Sequence, residues 1–146
     1  GPILFNIFIH DLYYFISDCK MFNYADDNTL FYAYKCLNDV QKGLTQDTIT
    51  AVKWFQENGM KANPDKFQAI ISHRSQKVSV TFKVYEMEIK SQDCVNLLGI
   101  DIDCDLSFKT HIDNLCKKAS RQLNVLRRFS KILNHQNCSV LYFISL

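Results

Sequence analysis

The chain has 146 residues, 47% of them apolar and 22% charged, with a formal net charge of +2. That balance is ordinary for a globular domain with a real core, so a single compact body is expected and a disordered or low-complexity chain is excluded. The small net charge hides an uneven distribution: residues 1–105 carry ten Lys or Arg against fourteen Asp or Glu, and residues 106–146 carry seven against one. The tail reads as a basic module on a slightly acidic body.

The six cysteines, at 19, 36, 94, 104, 116 and 138, form no CxxC pair and no zinc-like spacing. Several sit in apolar runs where a free buried thiol is common, which points to a reducing, intracellular setting, cytoplasm or nucleus. The apolar start "GPILFNIFIHDLYYFIS" is interrupted by Asn6, His10 and Asp11 and has no basic leader. It is too short and too broken to cross a bilayer, so a core helix is expected and a membrane is not among the partners. The chain opens on Gly-Pro without an initiator Met and stops inside "SVLYFISL", so a piece of a longer polypeptide is expected.

Taken in order, Gly1 and Pro2 suit a first helical turn, and residues 3–17 read as a helix apolar on most sides, hence deeply buried. Residues 21–34 read as strand, turn, strand, with Ala-Asp-Asp-Asn between aromatic and apolar flanks. A helix capped by Asn38 or Asp39 should run to about Asn58, burying a stripe of Val40, Leu44, Thr48, Ala51, Val52 and Phe55, with Trp54 at its edge and Gly59 ending it. After a turn at "NPDK" come a short strand "FQAIIS", then "VSVTFKVYEMEIK" as a strand or hairpin with one wet face. "CVNLLGIDID" predicts a further strand, with Gly99 inside it at a bulge or close backbone approach.

From Ser107 the period becomes helical. Ile112, Leu115, Ala119, Leu123, Leu126 and Phe129 form an apolar stripe expected to pack, while Lys117, Arg121, Asn124, Arg128 and Lys131 form a basic stripe offset by more than a quarter turn. Another helix is expected from about His135. The order of helix, hairpin, helix, strands and helices is an α+β layout.

The chemistry concentrates at "YADD", residues 24–27. Two adjacent carboxylates on a turn suit a hard divalent cation such as magnesium, and two such ions clamping an in-line phosphoryl displacement is a standard polymerase arrangement. The dipeptide alone is weak, since Asp-Asp in a polar turn is usually solvated surface. It does not stand alone. "GPILFNIFIHDL" at 1–12, "YADD" at 24–27, "NPDKFQAIIS" at 63–72 and "LLGIDIDCDLSFKTHI" at 97–112 together resemble, in order, the reverse transcriptase domain of non-LTR retrotransposons of the LINE, jockey-like type.

The resemblance implies an RNA-directed DNA polymerase of right-hand architecture. Residues 1–93 would form the later part of the palm, 94–106 a primer-grip-like palm–thumb connection, and 107–146 the start of a helical thumb. Asp26 and Asp27 match the family's catalytic, magnesium-binding pair in a two-metal site. Lys66 matches a lysine that approaches the incoming nucleotide's phosphates and protonates the leaving pyrophosphate. Gly1 and Pro2 match the edge of the nucleotide pocket, and Tyr24, Leu98 and Gly99 fall where the primer is contacted. Lys117, Arg121, Arg128 and Lys131 would meet the nucleic-acid backbone, since a one-signed helix face suits phosphates. The implied partners are an RNA template, a DNA primer, deoxynucleotides, and the upstream palm and fingers of the parent polyprotein.

Two departures bear on activity. The family's third carboxylate comes from a strand upstream of the Gly-Pro, and Phe67 stands where the family commonly has Thr. The isolated 146-residue chain is therefore expected to be inactive. A competing reading is a repurposed remnant that binds nucleic acid without catalysis through its basic helix. A more distant one is an unrelated α+β interaction domain whose Asp-Asp turn is mere surface.

Overall fold

A computed structural model describes residues 2–73 and 77–129. The chain is α+β. Rather than forming the single body its length suggests, it divides into two compact units, one of Gly1–Ile71 with Val78–Gln92, the other of Ser72–Lys77 with Asp93–Leu146. Among the described residues no helix is long and apolar enough to cross a membrane.

In the first unit, helix α1 (Pro2–His10) runs into a 3-10 turn at Asp11–Tyr14. It is less buried than its composition predicts: Ile9 and Leu12 are in the core, but Ile3, Leu4 and Ile7 are exposed. Only one side of the segment meets other elements, so apolarity on most sides does not translate into burial on most sides. Strands β1 (Lys20–Tyr24) and β2 (Asp27–Phe31) pair antiparallel, with Met21 opposite Leu30 and Asn23 opposite Asn28 on one face. Met21 joins Ile9, Leu12, Ala51 and Trp54 in the core, with Phe5, Leu30 and Phe55 packed around them.

Helix α2 (Leu37–Glu57) is the spine of this unit. Its N-cap is Cys36, without a side-chain capping bond, rather than Asn38 or Asp39. Its other end closes as a Schellman motif: Gly59 takes φ 72°, its N–H reaches Gln56 O, and Met60 N–H reaches Phe55 O at 2.8 Å. The innermost line of α2 runs through Gly43, Asp47, Ala51 and Trp54, with Val52 beside it. It is thus rotated from the predicted stripe, on which Val40, Leu44, Thr48 and Phe55 are only half-buried, and Trp54 is buried rather than at an edge. Gly43 belongs on that line because the Tyr32 ring lies where a side chain would be: a β-carbon there would stand 3.0 Å from it.

The remaining strands of the unit form a mixed sheet in the order β3 (Ala69–Ile70), β5 (Met87–Gln92), β4 (Thr81–Val84), with β3 parallel and β4 antiparallel to β5. "VSVTFKVYEMEIK" is accordingly a hairpin. It buries Phe82 and Val84 and leaves Lys83 wet.

The second unit holds β6 (Cys94–Leu97), β7 (Ile100–Asp103) and α3 (Lys109–Phe129). "CVNLLGIDID" is two strands, not one: Leu97 faces Ile100 and the chain reverses through Leu98 and Gly99. No residue of α3 is buried, and Ile112, Leu115, Leu123 and Phe129 are each about half exposed, so the stripe expected to pack lies open. Gly1, Lys131 and the helix expected from His135 fall outside the described residues.

Candidate active site

The loop between β1 and β2 has only two residues, Ala25 and Asp26, closed by the pair Tyr24 and Asp27. Two-residue hairpins favour turns whose first central residue is left-handed, because that twist matches the strands. Ala25 takes the strained role, at φ 52°, without being glycine. The Asp26 carboxylate consequently stands at the hairpin's apex, with that of Asp27 at the first position of β2, both exposed. Two side-chain amides back the turn: Asn23 Nδ2 donates to Asn28 Oδ1, and Asn28 Nδ2 donates to the Asp26 carbonyl at 3.1 Å.

What holds the hairpin in place is a residue that sequence reasoning overlooked. Asp47, 1% exposed on α2, accepts the backbone N–H groups of Ser17 at 3.1 Å, Asp18 at 2.9 Å and Cys19 at 2.7 Å. The chain is thereby fastened to α2 immediately before β1 begins. Burial, reinforced by the hydrogen bond to Asp47 and by its charge, pushes the Cys19 thiol up to about 12. The available signal was an acidic residue at the helical spacing Gly43, Asp47, Ala51, Trp54; hydrophobicity cannot register it.

Between α1 and β1 lies a cleft of about 480 Å³ walled by Phe5, Asn6, Ile9, His10 and Tyr13 and by Asn23, Tyr24 and Ala25. Tyr24 is exposed at its rim, beside the carboxylate pair. A larger hollow of about 920 Å³, lined by Asp18, Tyr32, Tyr34 and Lys42 among others, contains none of the predicted site residues. Size does not make it the site, because the paired carboxylates bring the chemistry and they are elsewhere.

Lys66 ends the 3-10 turn Pro64–Lys66, which Asn63 caps by accepting Asp65 N–H at 3.1 Å. It is exposed, and among the described residues no hydrogen bond or ion pair joins it to Asp26 or Asp27. Pro2 opens α1.

In the second unit, Leu98 and Gly99 are both left-handed, at φ 51° and 83°, as a type I′ turn requires. This replaces the bulge predicted at Gly99: the two positive φ angles reverse the chain instead of kinking one strand. Asp101, on β7, accepts from Asn96 Nδ2 at 2.7 Å and Asn114 Nδ2 at 2.9 Å, and lies 4.0 Å from His111 Nδ1. These bonds tie the start of α3 to the β6–β7 hairpin and hold the Asp101 carboxyl below the usual range. Lys117, Arg121 and Arg128 are exposed along α3.

Among the described residues no group of three or more His, Cys, Asp or Glu side chains is arranged for a metal ion. The hairpin offers two carboxylate groups, Asp26 and Asp27. Such a pair fits magnesium, which binds through one or two protein carboxylates and completes its shell with water and phosphate oxygens.

No solved structure matches the chain significantly. It is similar to the retrovirus-related Pol polyprotein from type-1 retrotransposable element R1 2 of Nasonia vitripennis, 23% identical over 137 residues, which cover 88% of this chain and 33% of that polyprotein. The chain thus spans a third of the length of that curated relative. The profile of the reverse transcriptase (RNA-dependent DNA polymerase) family matches residues 1–102, a stretch that includes the hairpin, α2, the Lys66 turn and Leu98–Gly99. With more than half of the chain inside that match, the protein belongs to the reverse transcriptase family.

Proposed function

We propose that the chain supplies the carboxylate hairpin, part of the palm and the start of the thumb of an RNA-directed DNA polymerase encoded by a retrotransposon. The observation that carries this reading is the pair Asp26 and Asp27 at the apex of a hairpin seated on a core of α1 and α2, inside the family match. Residues 1–93 then act as palm, 94–106 as the primer-side connection and 107–146 as thumb.

In this reading Asp26 and Asp27 hold magnesium, which when bound neutralises phosphate charge and favours the ionised primer hydroxyl. The primer 3′ oxygen forms a bond to the α-phosphorus of a deoxynucleotide, and the bond to pyrophosphate breaks. Lys66 offers a cation to the phosphates and a proton to the leaving group. Tyr24, at the cleft rim, and Leu98 and Gly99, on their turn, contact the primer, while Gly1 and Pro2 edge the nucleotide pocket. Two carboxylates make an incomplete two-metal site, so the third must come from elsewhere in the longer polypeptide. Primer extension is expected from the parent polyprotein and not from the 146-residue chain alone.

Asp26→Asn in the parent should lower primer extension on an RNA template by a factor on the order of 10² to 10³, the scale for losing one electrostatic group in an active site. Extension at the parental rate would refute the assignment. A second reading, binding without catalysis, draws on the exposed basic residues of α3. Filter binding of this chain to a primer–template duplex across a salt series tests it, and failure to bind at low salt would end it.

A further inference from the structure

We propose that Asn28, and Asn23 through it, are positioning residues that fix the Asp26 carboxylate for its cation, an inference that rests on the magnesium reading of Asp26 and Asp27.

The turn needs such support. Ala25 occupies the left-handed position of a two-residue loop without glycine's freedom, so nothing in its own backbone preference keeps Asp26 at the apex. The pairing register places Asn23 directly opposite Asn28, the last cross-strand pair of that face before the turn. Their amides form a directed chain, from Asn23 Nδ2 to Asn28 Oδ1 and from Asn28 Nδ2 to the Asp26 carbonyl at 3.1 Å. The final bond grips the main chain of the residue whose side chain is to bind.

Asn23 takes part through one end of its amide. Its Oδ1 is buried without a partner among the described residues, while its Nδ2 is used on Asn28. The Asn23 amide is thus engaged through its nitrogen alone. Partners that orient metal-binding groups typically govern affinity by a factor of 10 to 100.

The experiment measures Mn²⁺ binding to the 146-residue chain by water-proton relaxation, alongside thermal unfolding followed by Trp54 fluorescence. Asn28→Ala should weaken Mn²⁺ binding about tenfold, at the low end of that range because Asn28 is exposed and touches the Asp26 backbone rather than its carboxylate. Asn23→Ala should weaken binding by less. The double variant should bind like Asn28→Ala, because Asn23 acts only through Asn28. Both single variants should weaken binding without a matching fall in unfolding temperature, which a merely structural role would not do. Asn28→Ala binding Mn²⁺ as the wild type does, while Asp26→Asn abolishes binding, would overturn the positioning role and spare the carboxylate site. Unchanged binding by Asp26→Asn would overturn the site itself and this inference with it.

Discussion

Asp47→Ala should strongly destabilise the first unit while leaving the carboxylate hairpin's own sequence intact. In the folded chain its carboxylate, 1% exposed, satisfies three consecutive backbone N–H groups at 2.7 to 3.1 Å. Alanine deletes the acceptor and strands all three donors. Each costs about 1 kcal/mol, the low end for an unsatisfied group because these bonds are only partly buried, giving a loss of about 3 kcal/mol. Against a total stability of roughly 5–15 kcal/mol, that is a large fraction. Asn keeps one oxygen acceptor but turns an NH₂ toward the donors, so Asp47→Asn should lose about 2 kcal/mol. Urea unfolding followed by fluorescence is a clean assay, because Trp54 is the single tryptophan and lies in the core the loop helps to close. An Asp47→Ala variant within about 1 kcal/mol of the parent would refute the claim that this carboxylate fastens the chain ahead of β1.

Four further outcomes follow from other parts of the structure. With its thiol raised to about 12, Cys19 should hold roughly a thousandfold less thiolate than a free cysteine at pH 8.5 and alkylate far more slowly than the exposed Cys36 and Cys116 in iodoacetamide mass mapping. Because the folded value exceeds the unfolded one, the stability it contributes is present below about pH 8.5 and is lost as pH rises toward the folded value, so Cys19→Ala should flatten alkaline unfolding. Asp101 is lowered by the bonds from Asn96 and Asn114, so its contribution is present above about pH 4 and lost as pH falls through the folded value; Asn114→Ala should make the attachment of α3 less sensitive to acid by far-UV circular dichroism. If α3 grips a duplex, Arg121→Ala should reduce the slope of log K against log salt by about one, with equal losses on unrelated sequences.

The element types were largely legible because they depend on local pattern. Apolar flanks around "ADDN" give the hairpin, and Gly59 stops α2 because glycine adopts φ 72° without strain. "LLG" was a missed turn. Four strand-like residues on each side of Leu98–Gly99 fit a two-residue hairpin as well as a bulge, and only the pairing of Leu97 with Ile100 chooses between them.

Taken alone, the sequence determined the α+β composition, the family, and the location of the carboxylate pair, because periodicity and contiguous motifs are properties of neighbouring residues. Tertiary structure decided which surfaces are inside. It turned α2 so that Gly43 and Asp47 face inward in place of Leu44 and Thr48, left the apolar sides of α1 and α3 open, and joined Asp47 to a loop 28 to 30 residues away. Burial depends on what else reaches a face. Hydrogen bonding can draw a charged side chain inside, and a packed ring can require a glycine, neither of which any scale of single-residue preference contains.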